Sequence, residues 1–340
     1  MPLLAVLAHP AEPSQFCHLP NFLDAAQLER WRATLDVAVA RRARRMPLAS
    51  DADNINSPMY TQRCGLRLND AELNRLTFAA GAVAGSAACT LNDHPAGFRL
   101  YLDNVLIKEP WGDPTRWHID TFSFTFNSTR TSSFWIVRRP PATTPPQRSA
   151  TRSATLSSRR ARAAQALDDS TDKNGALCFL RGSHRVMAAR PDPYQPATPP
   201  TPTASGTPMQ QASVGVGDLL KSFPALGELE DVSVPVRAGD CIVVRIFRPA
   251  ALSSAAADPR RPAQHNALTA HAAGANMSFE RRRAMVFHLM PERENRFNGN
   301  VRNPFLTLED REVMGVGDAL DETRGGGGEL GFTFPLLATG

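Results

Sequence analysis

Trp117-His118-Ile119-Asp120-Thr121-Phe122-Ser123-Phe124-Thr125-Phe126 sets an imidazole and a carboxylate two positions apart, ahead of a run in which aromatic and hydroxyl residues alternate. On extended backbone, side chains at i and i+2 project from the same face. His118 and Asp120 can therefore converge on one ion while Ile119 packs behind them. The alternation over 121–126 predicts a strand with the pair at its start. Far along the chain stands His271, with Arg282 eleven positions beyond it. Two imidazoles and one carboxylate on one side of a metal leave the other positions open, which suits a non-haem Fe(II) centre activating dioxygen. Taken by itself, the His-x-Asp pair also reads as a satisfied histidine beside an ordinary turn acid. The flanking sequence decides.

Asn104-Val105-Leu106-Ile107-Lys108-Glu109-Pro110 precedes the pair, and Asn174-Gly175-Ala176-Leu177-Cys178-Phe179-Leu180-Arg181-Gly182-Ser183-His184-Arg185 follows it. His271-Ala272-Ala273-Gly274-Ala275-Asn276-Met277-Ser278 then leads into Arg281-Arg282-Arg283, and Pro20-Asn21-Phe22-Leu23 opens the series ahead of a helix. In this order the stretches resemble the phytanoyl-CoA dioxygenase family of Fe(II)/2-oxoglutarate oxygenases, over residues 15–291 with two interruptions. The resemblance implies a mainly β chain with flanking helices, built on a double-stranded β-helix, or jelly-roll, core.

It also implies site roles. His118, Asp120 and His271 become the metal ligands, and Arg282 the partner of the far carboxylate of 2-oxoglutarate. An arginine suits that task because its planar fork donates two parallel hydrogen bonds and keeps its charge. Residue chemistry alone leaves Arg281, Arg282 and Arg283 open; the family spacing selects Arg282. If this segment is a strand, Arg282, Ala284, Val286 and His288 share one face, and Arg281, Arg283, Met285 and Phe287 the other. Lys108 and Trp135 fall where the family uses a lysine and an aromatic residue near the co-substrate. Ala273 stands where many members carry a serine, so one hydroxyl contact to 2-oxoglutarate is missing. His265, the nearest rival to His271, lacks the Asn-x-Ser-x-x-x-Arg continuation, and His184 resembles a structural turn more than a ligand.

The implied function is a dioxygenase that hydroxylates a small organic molecule, an acyl-CoA or another metabolite, with Fe(II) as cofactor and 2-oxoglutarate and dioxygen as co-substrates. Succinate and CO2 are the by-products. Asp120 favours hydroxylation over halogenation, because halogenating relatives lack that carboxylate to make room for halide. Two other readings stand beside it: a catalytically silent jelly-roll scaffold acting through an arginine-rich insertion, and a jelly-roll metalloprotein that does not use 2-oxoglutarate. The sequence is silent on the substrate and on oligomeric state.

Composition fits one oxygenase domain over 15–291 and a C-terminal extension over 292–340, with low-complexity insertions at about 138–172 and 190–213. The 340 residues are 42% hydrophobic, enough for a sizeable core. The net charge of +5 does not describe a nucleic-acid-binding surface: residues 138–166 hold seven arginines and no acid, and without them the remainder stands at −2. That proline-, serine- and threonine-rich segment reads as a loop insertion, as does 190–212 with its seven prolines. Beyond Pro291 the chain is polar and includes Gly325-Gly326-Gly327-Gly328, so the extension reads as partly flexible. No apolar run could span a bilayer, no leader or peroxisomal address is evident, and five scattered cysteines read as reduced thiols. A cytoplasmic enzyme is the expectation.

Capping patterns predict helices opening at Asp24-Ala25-Ala26-Gln27 and at Asn69-Asp70-Ala71-Glu72, bearing Leu28, Trp31 and Leu35, and Leu73 and Leu76. Strands are predicted at 98–102, 105–108, 121–126, 133–137, 176–180, 232–236, 241–247 and 283–289, with Gly239-Asp240 as a tight turn before one of them.

Overall fold

The computed structural model describes residues 7–8, 16–44, 56–57, 60–92, 94–128, 131–138, 168–191, 219–244, 268–293, 295–299, 316 and 334–338. His265, most of both insertions and most of the C-terminal extension lie outside them. The elements in chain order are β1 (Leu7–Ala8), β2 (Phe16–Leu19), α1 (Ala25–Arg44), β3 (Asn56–Ser57), β4 (Tyr60–Cys64), α2 (Ala71–Asn92), β5 (Phe98–Lys108) and β6 (Thr115–His118). They continue with β7 (Ser132–Arg138), β8 (Leu177–Leu180), α3 (Ser183–Ala188), α4 (Leu219–Ser222), β9 (Asp231–Val234), β10 (Ala238–Val244), β11 (His271–Ala273), β12 (Arg282–Pro291) and β13 (Leu336–Ala338).

Two antiparallel sheets face each other. The larger runs β1-β2-β10-β7-β12-β5-β4-β3, with β13 also on β5; the smaller runs β6-β11-β8-β9. Strand β12 shows how one sequence serves two layers. Met285, Phe287 and Leu289 pack in the cluster that holds Trp31 and Leu35 of α1 and Leu73 and Ala84 of α2. Ala284 and Val286 face the other way, into a cluster with Trp135, Phe179 and Ile242 between the sheets. Each such large apolar side chain contributes roughly 1.5–3 kcal/mol on full burial. This two-layer antiparallel wrap with helices on one outer face is the expected jelly roll.

Both predicted helix starts are present. The Asp24 N–H donates to Gln27 Oε1 (2.9 Å) and the Gln27 N–H to Asp24 Oδ1 (2.8 Å), a reciprocal capping box. Asp70 caps α2, its Oδ1 accepting from the N–H groups of Glu72 (3.1 Å) and Leu73 (2.9 Å). Helix α2 sets Ala80, Ala84 and Ala88 against the core, so its backbone lies close to the sheet.

Three sequence expectations change. The strands expected at 98–102 and 105–108 are one strand, β5, because Asp103 and Asn104 are buried rather than turned to solvent. Residues 121–126 form no strand. A 3-10 turn occupies Asp120–Ser123, and beyond it the backbone pairing is one isolated antiparallel bridge, Phe126 to Phe297, with the Asn298 N–H donating to the Thr125 carbonyl (2.9 Å). Side chains supply further bonds: the Thr125 N–H donates to Tyr101 Oη (3.2 Å) and Asn298 Nδ2 to the Phe124 carbonyl (3.2 Å). The alternating aromatics serve different clusters, Phe122 with Ile119 and Leu180, Phe124 and Phe126 with Tyr101. The tight turn at Gly239-Asp240 is present, the Asp240 N–H donating to the Arg237 carbonyl (3.1 Å), but it falls within β10 as a bulge rather than before the strand. Gly239 adopts φ +92, and a Cβ there would meet the Leu23 carbonyl at 2.9 Å. The bulge fastens the entry to α1: Leu23 N–H donates to the Gly239 carbonyl (3.0 Å), and Asn21 N–H to Asp240 Oδ1 (2.9 Å).

Parts of the outlying segments are folded in. The Arg283 N–H and guanidinium donate to Asp168 (3.1 and 3.4 Å), and Ser170 bridges to Val236. Phe334 is fully buried, and β13 pairs β5. None of the five cysteines is joined in a disulfide, and no helix among the described residues is long and apolar enough to cross a membrane.

Candidate metal centre and co-substrate cavity

His118 and His271 are direct cross-strand partners, the first ending β6 and the second opening β11. Their ring centroids lie 4.1 Å apart. Asp120 reaches the same point from the 3-10 turn, its Oδ1 3.7 Å from His118 Nε2 and 3.6 Å from His271 Nε2. These separations are too long for hydrogen bonds and place one donor atom from each residue around one point. The strand expected after His118 in fact precedes it. Ile119 is buried behind the pair, as expected.

The two imidazoles are oriented by the same device. His118 Nδ1 lies 2.9 Å from the Arg116 carbonyl and His271 Nδ1 3.0 Å from the Thr269 carbonyl, each two residues back. An Nδ1–H donated to a carbonyl leaves the Nε2 lone pair for a metal. Burial, reinforced by His271, takes the His118 imidazole down to about 4. Burial pushes the Asp120 carboxyl up, but His271, His288 and His118, with the Ser133 hydroxyl, outweigh it and bring Asp120 to about 2. Near neutral pH, His118 is thus neutral and Asp120 ionised, the forms that bind a metal.

Two further residues, Ser133 and His288, act on Asp120. They are register partners on β7 and β12. Ser133 Oγ donates to Asp120 Oδ2 (2.8 Å) and lies 2.9 Å from His288 Nδ1. One hydroxyl proton cannot serve both, so His288 donates to Ser133 and Ser133 to Asp120. Oδ2 is thereby held back and Oδ1 faces the histidines. Ser133→Ala should weaken Co(II) binding roughly tenfold, the scale of lost outer hydrogen-bond partners, as measured by competition with a chromophoric chelator. Unchanged affinity would refute the role. The sequence put His288 on the cavity face of its strand but gave no sign that Ser133 stands opposite it.

A cavity of about 650 Å³ extends from this point between the sheets. Arg282, Trp135, Val286 and His288 line it from the larger sheet, and Leu177, His271 and Ala273 from the smaller. The expected faces of β12 are therefore correct. Arg281 is the outermost of the three arginines, paired with Glu109 at 2.9 Å, and Arg283 lies on the helix side, bonded to Asp36 at 2.6 Å. Arg282 is buried with its guanidinium 5.3 Å over the Trp135 ring, and its Nη2 donates to the Gly175 carbonyl (3.1 Å). Gly175 has φ +97, and a Cβ there would meet the Gly274 carbonyl at 2.6 Å and the Lys108 side chain at 2.9 Å. Only glycine lets this loop pass so close behind Arg282.

Lys108, the cross-strand partner of Arg282, is fully buried, and its Nζ donates to the Asp113 carbonyl (2.6 Å). Burial, with the Arg282 charge beside it, lowers the Lys108 ammonium to about 7. Lys108 lies behind Arg282 rather than among the residues that line the cavity. His184 is buried in α3 and is not one of the three clustered donors.

The sequence model of the family described as phytanoyl-CoA dioxygenase (PhyH) matches residues 16–246. That span includes His118 and Asp120 and stops short of His271 and Arg282, which pairing of β11 with β6 and of β12 with β5 brings to the same cavity. No curated protein matches the sequence significantly. Among solved structures, the fold is similar to the non-heme alpha ketoglutarate dependent carbocyclase SnoK from nogalamycin biosynthesis, with a TM-score of 0.57 and 19% identity over 91% of this chain and 90% of that one. It is also similar to the non-heme alpha ketoglutarate dependent epimerase SnoN from the same biosynthesis, with a TM-score of 0.54 and 22% identity over 96% and 94%. At these identities the likeness concerns the fold. The family match covers well over half of the chain and carries the His-x-Asp pair within it, so the protein belongs to the phytanoyl-CoA dioxygenase family of Fe(II)/2-oxoglutarate-dependent oxygenases.

Proposed function

We propose that the protein is an Fe(II)- and 2-oxoglutarate-dependent dioxygenase that hydroxylates a small organic molecule, releasing succinate and CO2. The observation that carries this reading is the convergence of His118, Asp120 and His271 at a cavity that also exposes Arg282. The donor set fits iron: two neutral-nitrogen donors and one carboxylate, each fixed from behind, with the remaining side of the point open to the cavity. Fe(II) bound by these three residues would supply activation of dioxygen coupled to oxidative decarboxylation of 2-oxoglutarate.

The protein's own part is orientation. Arg282 would take the far carboxylate of 2-oxoglutarate with its fork, steadied by the Gly175 carbonyl and the Trp135 face. Lys108, in register with Arg282, ties β5 to the loop at Asp113. Ala273 contributes no hydroxyl, so Arg282 carries more of the anchoring. Val286, Leu177 and Val244 wall the space with apolar surface and limit water near the reacting atoms. Because Asp120 fills the third donor position, no place is left there for halide, which favours hydroxylation. The cavity falls in the size range of small-molecule sites.

Anaerobic addition of Fe(II) and then 2-oxoglutarate should produce the weak visible charge-transfer band of a keto acid chelated to ferrous iron, absent in His271→Ala. Admission of oxygen should then release succinate, faster when a substrate is present, with that substrate gaining one oxygen atom by mass spectrometry. Well-folded protein that gives no band would leave the scaffold reading standing. A substrate transformed without oxygen gain would replace hydroxylation with another outcome of the same centre.

A further inference from the structure

The segment 334–338 lies far beyond the residues that the family model matches, yet it is fastened into the domain along its length. Arg99, buried and paired with Glu292, donates from Nη1 to the Phe334 carbonyl (2.7 Å), and the Leu100 N–H donates to the Pro335 carbonyl (3.0 Å). Leu336 and Ala338 pair with β5. Leu337 packs against the helix-side cluster, where Gly81 of α2 makes room for it: a Cβ at Gly81 would stand 3.0 Å from Leu337 Cδ2. Glycine is unfavourable inside a helix, so its place at this contact ties α2 to the docked segment.

Phe334 enters a different cluster, with Tyr101, Phe124, Phe126, Met290 and Phe297. Its ring stacks on Tyr101 with centroids 5.6 Å apart, Tyr101 meets Phe124 edge-on at 5.1 Å, and Phe124 meets the His288 imidazole edge-on at 5.3 Å. His288 is the imidazole that orders Ser133, which holds back Asp120 Oδ2. Phe334 and Asp120 are thus the two ends of one row, and Tyr101, Phe124, His288 and Ser133 between them are all buried. A close-packed interior transmits displacement because it holds little free volume. The Thr125 N–H donates to Tyr101 Oη, which fixes the phenol end and leaves the tilt of the ring to what packs on its face, where Phe334 lies. Phe124 also lines the cavity, and Leu102, another lining residue, packs against the same cluster.

We propose that Phe334 is a positioning residue for the candidate metal centre: the docked C-terminal segment sets its ring on Tyr101 and so fixes Phe124, His288, Ser133 and, through them, the Asp120 carboxylate. The segment is then part of the oxygenase site, and a metal binds best to a chain in which it is docked. This inference rests on reading His118, Asp120 and His271 as metal ligands, whereas the packing of His288 through the row does not.

Two residues of the segment separate positioning from stability. Phe334→Ala empties the place beside Tyr101, while Leu337→Ala loosens the same segment at α2, in the helix-side cluster. In the full chain, Co(II) affinity by chelator competition should fall about fivefold in Phe334→Ala, less than for losing an outer partner of the ligand itself, because the effect passes through other rings. The visible absorption of bound Co(II) should change with it. Benzene, which enters dry apolar cavities of this kind, should restore both. Leu337→Ala should match the natural chain in affinity and spectrum, whatever its melting temperature. In metal-free protein the His288 ring-proton resonances should move in Phe334→Ala and return with benzene. If Phe334→Ala does not fold, Phe334→Leu, which stays apolar but loses the flat face, should show the same spectral change with a smaller loss of affinity. Natural affinity and spectrum in the Phe334 variants, equal losses in Leu337→Ala, or no recovery with benzene overturns the proposal. A natural chain that binds no Co(II) would instead sink the metal reading. The His288 resonances then decide on the row: a shift reversed by benzene keeps it, and no shift removes it.

Discussion

Asp120→Ala should abolish stable Fe(II) binding while leaving the protein folded. Asp120 is the one anionic donor in the set, and both imidazoles address the same oxygen, Oδ1, at 3.6–3.7 Å. Its loss removes a ligand and the charge that offsets a dication, so the effect exceeds the ~10–100-fold of an outer-partner mutation and should reach about a thousandfold. The fold should survive because the turn rests on other contacts: Ser123 Oγ donates to the Asp120 backbone carbonyl (2.7 Å), and Ile119 and Phe122 remain packed with Leu180 and Met187. The measurement is Fe(II) or Co(II) affinity by chelator competition, with thermal unfolding alongside. A folded Asp120→Ala protein that keeps its metal affinity would remove Asp120 from the ligand set. Asp120→Asn is the finer probe, since it retains the shape and loses only the charge.

The same residues mark how far the sequence could be read. The His-x-Asp spacing was legible because it is local: whatever the backbone between them, Ile119 must turn inward, and it does. The faces of β12 were legible because a period of two survives any tertiary arrangement. Asp24 and Asp70 were legible because a cap depends on three or four consecutive residues. The run at 121–126 misled because alternation reports where side chains go, not whether a neighbour supplies a ladder. Here Tyr101 and Asn298 supply the bonds, from distant positions that no local pattern links to the run. Gly239-Asp240 was legible as a turn but not as a part of β10: the glycine at positive φ closes the turn from Arg237 to Asp240, and that the ladder resumes on both sides of it depends on a distant strand.

Register is what the sequence withheld most completely. Ser133 holds Asp120 only because it pairs with His288, and Lys108 stands beside Arg282 only because β5 meets β12 in that register. Neither arrangement follows from the order of residues, since a slip of one position would turn each of these side chains to the opposite face. Residues that work through a cross-strand partner thus stay hidden, while those with a local spacing show themselves.

Arg282→Ala should reduce 2-oxoglutarate affinity by two to three orders of magnitude, about 3–4 kcal/mol, within the range for truncating one partner of a buried, hydrogen-bonded charge pair. The magnitude follows from the setting. Arg282 is buried against Trp135 and the Gly175 carbonyl, so a carboxylate meeting it is largely out of water, and Ala273 offers no hydroxyl to share the load. Arg282→Lys separates charge from shape: it keeps the cation and loses the fork, so it should fall between the alanine variant and the natural chain. Both variants should bind Fe(II) as the natural chain does, because no donor atom of the three-residue cluster belongs to Arg282. The charge-transfer band, titrated with 2-oxoglutarate at fixed Fe(II), reads this directly, its midpoint moving while its dependence on iron stays put. A midpoint unchanged in Arg282→Ala would mean that another cation holds the co-substrate. Lys108, buried in register with Arg282, would be the first to substitute. Joint loss of iron binding and band would instead show that Arg282 supports the cavity as a whole, through the Gly175 loop that passes behind it.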